Sequence, residues 1–410
     1  MKTSFIQKIK DFFALPLWRD YRVTFVVWLL MGLITGLVKA HRGANNFLIY
    51  KYVFWHTIEQ KDLYLHYPEE FGDLNHYGPF FSVFIAPFAV LPEGLGIVSW
   101  HVFLAMLLYV AIRTSRFSKY EILFMLWYAA QDLVTCLMMS QFNIAVAALI
   151  LLSFTMVEQE KDHWATFFIA VGTFVKLLGV VGLSFFFFSK RKKLFVASLI
   201  GWSIVMFVIP MLISSPEYIV SQYDSWYHAL ASKNMTNTAD LLTMNNVSLL
   251  GLIRRPLIDY DYSDLWVIVP YLTVVALAYF RIDQWKHVAF RKMVLVQMLL
   301  MVILISTGTE NSSYVIAYIG IPLWYVSVPW KRNNLDLLLI IFAFVFGSLS
   351  PTDLYPRALK AEIIRPYALR ALPVVLIWIK LTWEMLCRDY NFNGVRRDEQ
   401  YANNLNPLNL

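Results

Sequence analysis

The chain has 410 residues, 59% hydrophobic and 15% charged, with a formal net charge of +7. A soluble domain carries about 25% charged residues, so this composition, with a mean hydropathy of +0.55, excludes a water-soluble enzyme and marks an all-α polytopic membrane protein. The basic residues fall in short loops between apolar segments, which fits orientation by the positive-inside rule and excludes a basic-aromatic surface for nucleic acid.

Residues 1–22 form a basic amphipathic stretch without a cleavage site, so the first apolar segment, 23–39, is expected to stay as a membrane helix. Its Gly32 and Gly36 have GxxxG spacing, for which close packing inside the chain is favoured over a dimer face. Residues 41–92 then form a polar, aromatic-rich first outer loop holding His56, His66, His76, Glu59, Asp62, Glu69, Glu70 and Asp73. It is too polar for the bilayer and too aromatic for a solvated linker, and is expected to fold as a cap at one membrane face. Within it, the short run 80–91 between Pro79 and Pro92 reads as an interfacial or re-entrant helix.

Loop charge orders the remaining segments. Residues 95–112 run inward to Arg113, Arg116 and Lys119, 122–139 run out, and 144–157 return. One helix over 164–189 would place Lys190-Arg191-Lys192-Lys193 outside, so a break near 176–179 is expected. Residues 194–213 lead to a second outer loop, 214–263, and further spans follow at 265–280, 294–306, 314–330, 335–349 and 366–387. The expectation is one transmembrane domain, 1–390, of about twelve helices, with both termini cytoplasmic and a polar tail at 391–410. Cys136 and Cys387 lie far apart in apolar segments, so neither a disulfide framework nor a metal cluster is expected. Polar helix ends gather at the outer face, where a site is expected.

Four pieces at that face carry a resemblance. Asn45-Asn46-Phe47-Leu48-Ile49-Tyr50, with Asp62-Leu63-Tyr64 and Tyr77-Gly78-Pro79, come first. Ser140-Gln141-Phe142-Asn143, Phe174-Val175-Lys176, and Asn245-Asn246-Val247-Ser248-Leu249-Leu250-Gly251 with Arg254 follow in order. Together they resemble glycosyltransferase family 87, polyprenyl-phosphate-dependent mannosyltransferase-like proteins of the GT-C class. The resemblance implies a GT-C-type bundle and a hexosyltransferase that moves a mannose-like sugar from a polyprenyl-phosphate donor to an extracytoplasmic glycan or glycolipid. No cofactor is expected beyond that lipid-linked donor, and His56, His66 and His76 lack ligand spacing with a fourth partner, so no metal is expected. Two departures stand out. Asn46 occupies the place of the family's proposed catalytic aspartate. The family's later turn with two histidines reads Ser306-Thr307-Gly308-Thr309-Glu310-Asn311-Ser312-Ser313 here, without histidine and with Glu310 added.

Such a transferase needs a base for the acceptor hydroxyl and cationic or hydrogen-bonding groups for the departing phosphate. The candidate bases are Glu310, Asp62 and Asp73, against a capping role for the first two. Lys176, a lysine in an apolar stretch, is the candidate phosphate ligand, against snorkelling to the headgroups. Arg254 is a second candidate, against contact with anionic lipid. Asn45, Asn46, Tyr50, Tyr64, Tyr77, Gln141, Asn143, Asn246 and Ser248 complete the expected substrate-binding set, the aromatics as stacking surfaces for sugars. A transporter of a lipid-linked or anionic solute and an inactive scaffold are the alternatives. The basic loops and the absence of an organelle signal point to a bacterial inner membrane.

Overall fold

The computed structural model describes residues 15–239, 245–257 and 262–391. The amphipathic stretch up to residue 14 and the tail from 392 lie outside them. All regular structure among the described residues is helical. Helix α1 (Tyr21–Arg42) packs along α4 (Glu93–Thr114), because the two glycines of α1 let the backbones touch. A Cβ at Gly32 would lie 3.0 Å from Val102 Cα, and one at Gly36 2.9 Å from Val98 Cα. The GxxxG pattern therefore serves packing within the chain. Between them the cap contains α2 (Asn45–Glu59) and the short α3 (Phe81–Ala89), both on the apolar core formed by Phe47, Tyr50, Phe81 and Trp100.

The segment expected as one span over 122–139 is instead two helices, α5 (Lys119–Tyr128) and α6 (Ala130–Met138), bent by 42°. The joint is Ala129, whose φ of −84° and ψ of −4° still lie beside the helical region. The bend aims the Asp132 carboxylate of α6 at Arg370. Helix α7 (Asn143–Glu158) follows the turn at Ser140 and is buried along nearly its whole length, making it the central post of the bundle.

The expected break in 164–189 falls at Leu177, which takes a left-handed φ of 50°. Helix α8 (Asp162–Lys176) ends there and a 3-10 segment (Leu178–Phe188) folds back along it. Gly172 and Gly179 cross with Cα atoms so close that any side chain at 179 would overlap the backbone of α8. The return is confirmed at the far end, where Lys190 pairs with Glu160 at 2.6 Å. The pair is exposed and adds little to stability, but it sets the basic run beside the loop that precedes α8.

Helix α9 (Lys192–Val208) leads to the second outer loop, which holds a long helix, α10 (Pro216–Ala239), and a short one, α11 (Leu249–Arg254). After α12 (Leu265–Tyr279), helix α13 (Val288–Leu304) starts six residues before the expected span. The basic pair there is neutralised inside the bundle: Arg291 binds Glu158 through two bonds of 2.6 and 2.8 Å, and Lys292 binds Glu121 at 2.5 Å. With those charges met, the chain can stay helical where charge alone indicated a loop. Helices α14 (Val315–Val326), α15 (Asn334–Phe342) and α16 (Ala371–Cys387) complete the fold; α16 begins later than the expected 366. By length and composition, Tyr21–Arg42, Glu93–Thr114 and Lys192–Leu212 can each cross a membrane, and the bent α5–α6 pair makes a fourth candidate. Other apolar helices are shorter, including Asn143–Glu158 and Leu265–Tyr279.

Candidate functional site

Four pieces of chain converge at one end of the bundle: the cap, the start of α7, the tip of the α8 hairpin and the turn between α13 and α14. The cap meets the hairpin at Gly78, whose N–H donates to the Val175 carbonyl at 3.0 Å. Only glycine permits this approach, since a Cβ at 78 would overlap the Phe174 carbonyl oxygen and press on the Trp226 ring. Asn75 fixes the neighbouring Tyr77 by accepting from its N–H at 2.9 Å and donating to its carbonyl at 3.3 Å. The Lys176 ammonium then lies 5.5 Å from the centre of the Tyr77 ring. Substituting Gly78 by alanine is expected to part the cap from the hairpin, with a loss of activity larger than the loss of folded protein; transfer assays beside a thermal melt check this.

Two polar chains run through the convergence. In the first, the Tyr50 and Tyr77 hydroxyls meet at 2.9 Å, Tyr77 donates to Gln141 Oε1 at 3.2 Å, and Gln141 Nε2 donates to Glu310 Oε1 at 3.2 Å. In the second, Lys176 Nζ donates to Asn143 Oδ1 at 2.7 Å, and Asn143 Nδ2 reaches the Ser312 and Ser313 hydroxyls at 3.2 Å each. Local structure sets the polarity of each charge. Lys176 ends a helix, where the dipole favours a cation, and Glu310 caps the start of the 3-10 turn Asn311–Tyr314 that leads into α14, where it favours an anion. Burial raises the Glu310 carboxyl above the ordinary range, against the lowering charges of Lys176 and Lys233. The Asp73 charge adds a smaller rise.

The model of glycosyltransferase family 87 matches residues 75–307, more than half of the chain. The chain belongs to glycosyltransferase family 87. It is an integral-membrane glycosyltransferase of that family, and Tyr77, Gln141, Asn143, Lys176, Asn246, Ser248 and Arg254 all fall within the matched residues. Glu310 falls just beyond them. Among curated proteins, none matches this chain.

The convergence gathers some expected residues and ties others elsewhere. Tyr50, Tyr77, Gln141, Asn143, Lys176 and Glu310 form the network above. Asn46 donates to the Met139 carbonyl at 2.7 Å and Asn45 accepts from Gly72 N–H at 2.7 Å, so both pin the cap to its surroundings. Asp62 accepts from the Tyr64 N–H at 2.8 Å within its own turn. Asp73 is exposed and accepts from Leu74 N–H at 2.8 Å, with its charge still felt at Glu310. Tyr64, buried, donates to the Tyr77 carbonyl at 3.0 Å. The rings of Tyr50 and Tyr77 pack on each other and on Phe81. These tyrosines are walls of the site; their faces are not presented as stacking surfaces.

Asn246 takes a left-handed φ of 55° and accepts from the Ser248 hydroxyl at 2.8 Å, while Ser248 caps α11. Between them Val247 N–H donates to the Thr309 carbonyl at 2.8 Å, so this segment braces the Glu310 turn from behind. Arg254 is paired with Asp264 at 2.5 Å and with the Tyr262 carbonyl at 2.9 Å, outside the network.

Sequence reasoning missed Asp132 and Arg370, each about 1% exposed and joined at 2.5 Å. Ser348 supports Asp132, and Arg370 also donates to the Gly347 carbonyl at 2.9 Å and the Asn311 carbonyl at 2.6 Å. The pair thus grips the residue next to Glu310. A charged residue inside each of two apolar segments was the available signal. His101, a buried polar residue within another apolar helix, holds Thr35 and Ser140 at 3.1 and 2.9 Å, and so fixes the Ser140 turn that presents Gln141.

Proposed function

We propose that the protein transfers a hexose, mannose-like, from a polyprenyl-phosphate donor to an extracytoplasmic glycan or glycolipid. The observation that carries this reading is one half-buried lysine and one half-buried carboxylate, each hydrogen-bonded to a side-chain amide, at the same end of an apolar bundle. Glu310 accepts the acceptor hydroxyl proton as that oxygen attacks the anomeric carbon. The bond from that carbon to the phosphate oxygen breaks, and polyprenyl phosphate leaves with the electron pair. Lys176 stabilises the charge gathering on that phosphate, and the lipid tail runs into the acyl layer. Asn46 cannot act as the base, because its amide is not basic, and its nitrogen already donates to Met139. The architecture that goes with this reading is a GT-C-type bundle of about twelve crossings, a single domain over 1–390 in a bacterial inner membrane. Both termini lie on the cytoplasmic side, and the 41–92 and 214–263 loops outside.

The test is transfer in liposomes supplied with polyprenyl-phosphate-mannose and a crude acceptor extract, with Lys176→Ala alongside. Transfer by the parent protein that falls about 100-fold or more in the variant, the scale of losing one electrostatic donor, supports the reading. Equal transfer in both removes Lys176 from the site, and no transfer from any lipid-linked hexose overturns the reaction itself.

A further inference from the structure

One face of α10 has no place in the mechanism so far. Gln222, Trp226, Lys233 and Asn237 recur at helical spacing and face inward, while Asp224, Tyr227, His228 and Met235 are exposed on the other side. Gln222 accepts from the Leu63 N–H at 2.9 Å, and the Trp226 indole donates to the His76 carbonyl at 3.0 Å. Farther along, Asn234 accepts from the Thr307 hydroxyl at 2.7 Å, and the Asn237 carbonyl accepts from Asn246 at 3.4 Å. The helix therefore bridges the cap and the Glu310 turn, with Lys233 between its two anchorages.

We infer that Lys233 is a second cation of the donor site and that, with His76 and Asn237, it forms the wall on which a phosphate ester bearing a polyol is seated. This rests on the donor reading above and adds residues to it. Lys233 is half-buried and makes no hydrogen bond or ion pair with any described residue. Both ring nitrogens of His76 and the side-chain oxygen of Asn237, a residue 2% exposed, are buried without a hydrogen-bond partner among the described residues. Buried polar atoms are seldom left so, and three on one wall match the donors and acceptors of sugar hydroxyls. Lys233 and Lys176 act on the same two groups. Burial raises Glu310 while both ammonium charges lower it, and burial followed by the Lys233 charge pushes His76 down to about 4. An imidazole so held is neutral and offers one donor and one acceptor. Two rotatable ammonium groups suit a phosphate, which they meet as point charges.

The experiment is binding of polyprenyl phosphate, without sugar, to the purified full chain in zwitterionic nanodiscs, read by native mass spectrometry. Lys233→Ala is expected to weaken binding at least tenfold, Lys233→Arg to retain most of it, and Met235→Ala, on the exposed face, to leave it unchanged. Phosphatidylglycerol at equal concentration is expected not to displace the ligand. Unchanged binding in Lys233→Ala with loss in Lys176→Ala overturns the role of Lys233 and leaves the donor reading standing. Absence of binding in the parent protein removes the donor reading and this inference with it. Equal binding of phosphatidylglycerol overturns the inference in favour of a general anionic-lipid contact.

Discussion

Glu310→Gln is expected to lower turnover by about 10²–10⁴, the range for loss of a general base, with donor binding unchanged. The amide keeps the shape of the side chain and a partner for Gln141, so the fold is not at issue. The pH dependence carries a sign that separates this role from a merely structural one. A base works deprotonated, so activity is lost as pH falls through the Glu310 pKa. Burial raises that pKa, placing the acid limb above that of an ordinary carboxylate. Lys176→Ala removes a lowering charge and is expected to move the limb of the residual activity to higher pH, and Asp73→Asn to move it lower. For stability the sign is opposite. A carboxyl raised on folding favours the folded state below its unfolded pKa, and that contribution is lost as pH rises through the folded value. Glu310→Gln is therefore expected to unfold no more readily than the parent at neutral pH. Single-turnover rates against pH, beside a melt, measure both.

Asp132→Asn is expected to destabilise the protein by about 3–5 kcal/mol, the cost of leaving one partner of a buried ion pair uncompensated. Arg370 would remain about 1% exposed, with its charge met only by carbonyls and the Tyr314 ring, whose centre is 4.2 Å away. Replacing both members by apolar residues of similar volume is expected to be milder than either single change. Activity falls further than stability in either case, because Arg370 holds Asn311 and hence the turn that carries Glu310. Denaturant unfolding in detergent, with specific activity per folded molecule, separates the two effects.

Features set by a one-sided rule were legible in sequence. The break at Leu177 followed from the side on which Lys190 to Lys193 must lie. That α1 packs closely within the chain followed from two glycines one turn apart; its partner, α4, did not. Lys176, Gln141, Asn143 and Glu310 were legible because a polar residue at the end of an apolar run has few places to go. Features set by a distant partner were not. Nothing near Asp132 announces Arg370, 238 positions later, so α5–α6 read as one straight span. Arg291 and Lys292 read as a loop because Glu158 and Glu121, which neutralise them, sit in helices far back in the chain. Helix α10 read as loop because its inward face is built from glutamine, tryptophan, lysine and asparagine in place of an apolar stripe. Asn46, Asn246 and Ser248 carried the resemblance, yet their side chains are engaged in holding turns.

Gln141 holds the Glu310 carboxylate and Asn143 holds the Lys176 ammonium, so each charge is met by a neutral amide. Had Lys176 and Glu310 closed into a direct bridge, each would have cancelled the other, and a ligand would have had to break that bond before using either. The two amides are themselves held by Tyr77 and by Ser312 and Ser313, which keeps both charges in place without a bond between them. No bond between the two side chains has to be broken before a ligand can meet either one. On the reading proposed above, the dipoles that reaction chemistry must otherwise reorient are set before any substrate arrives.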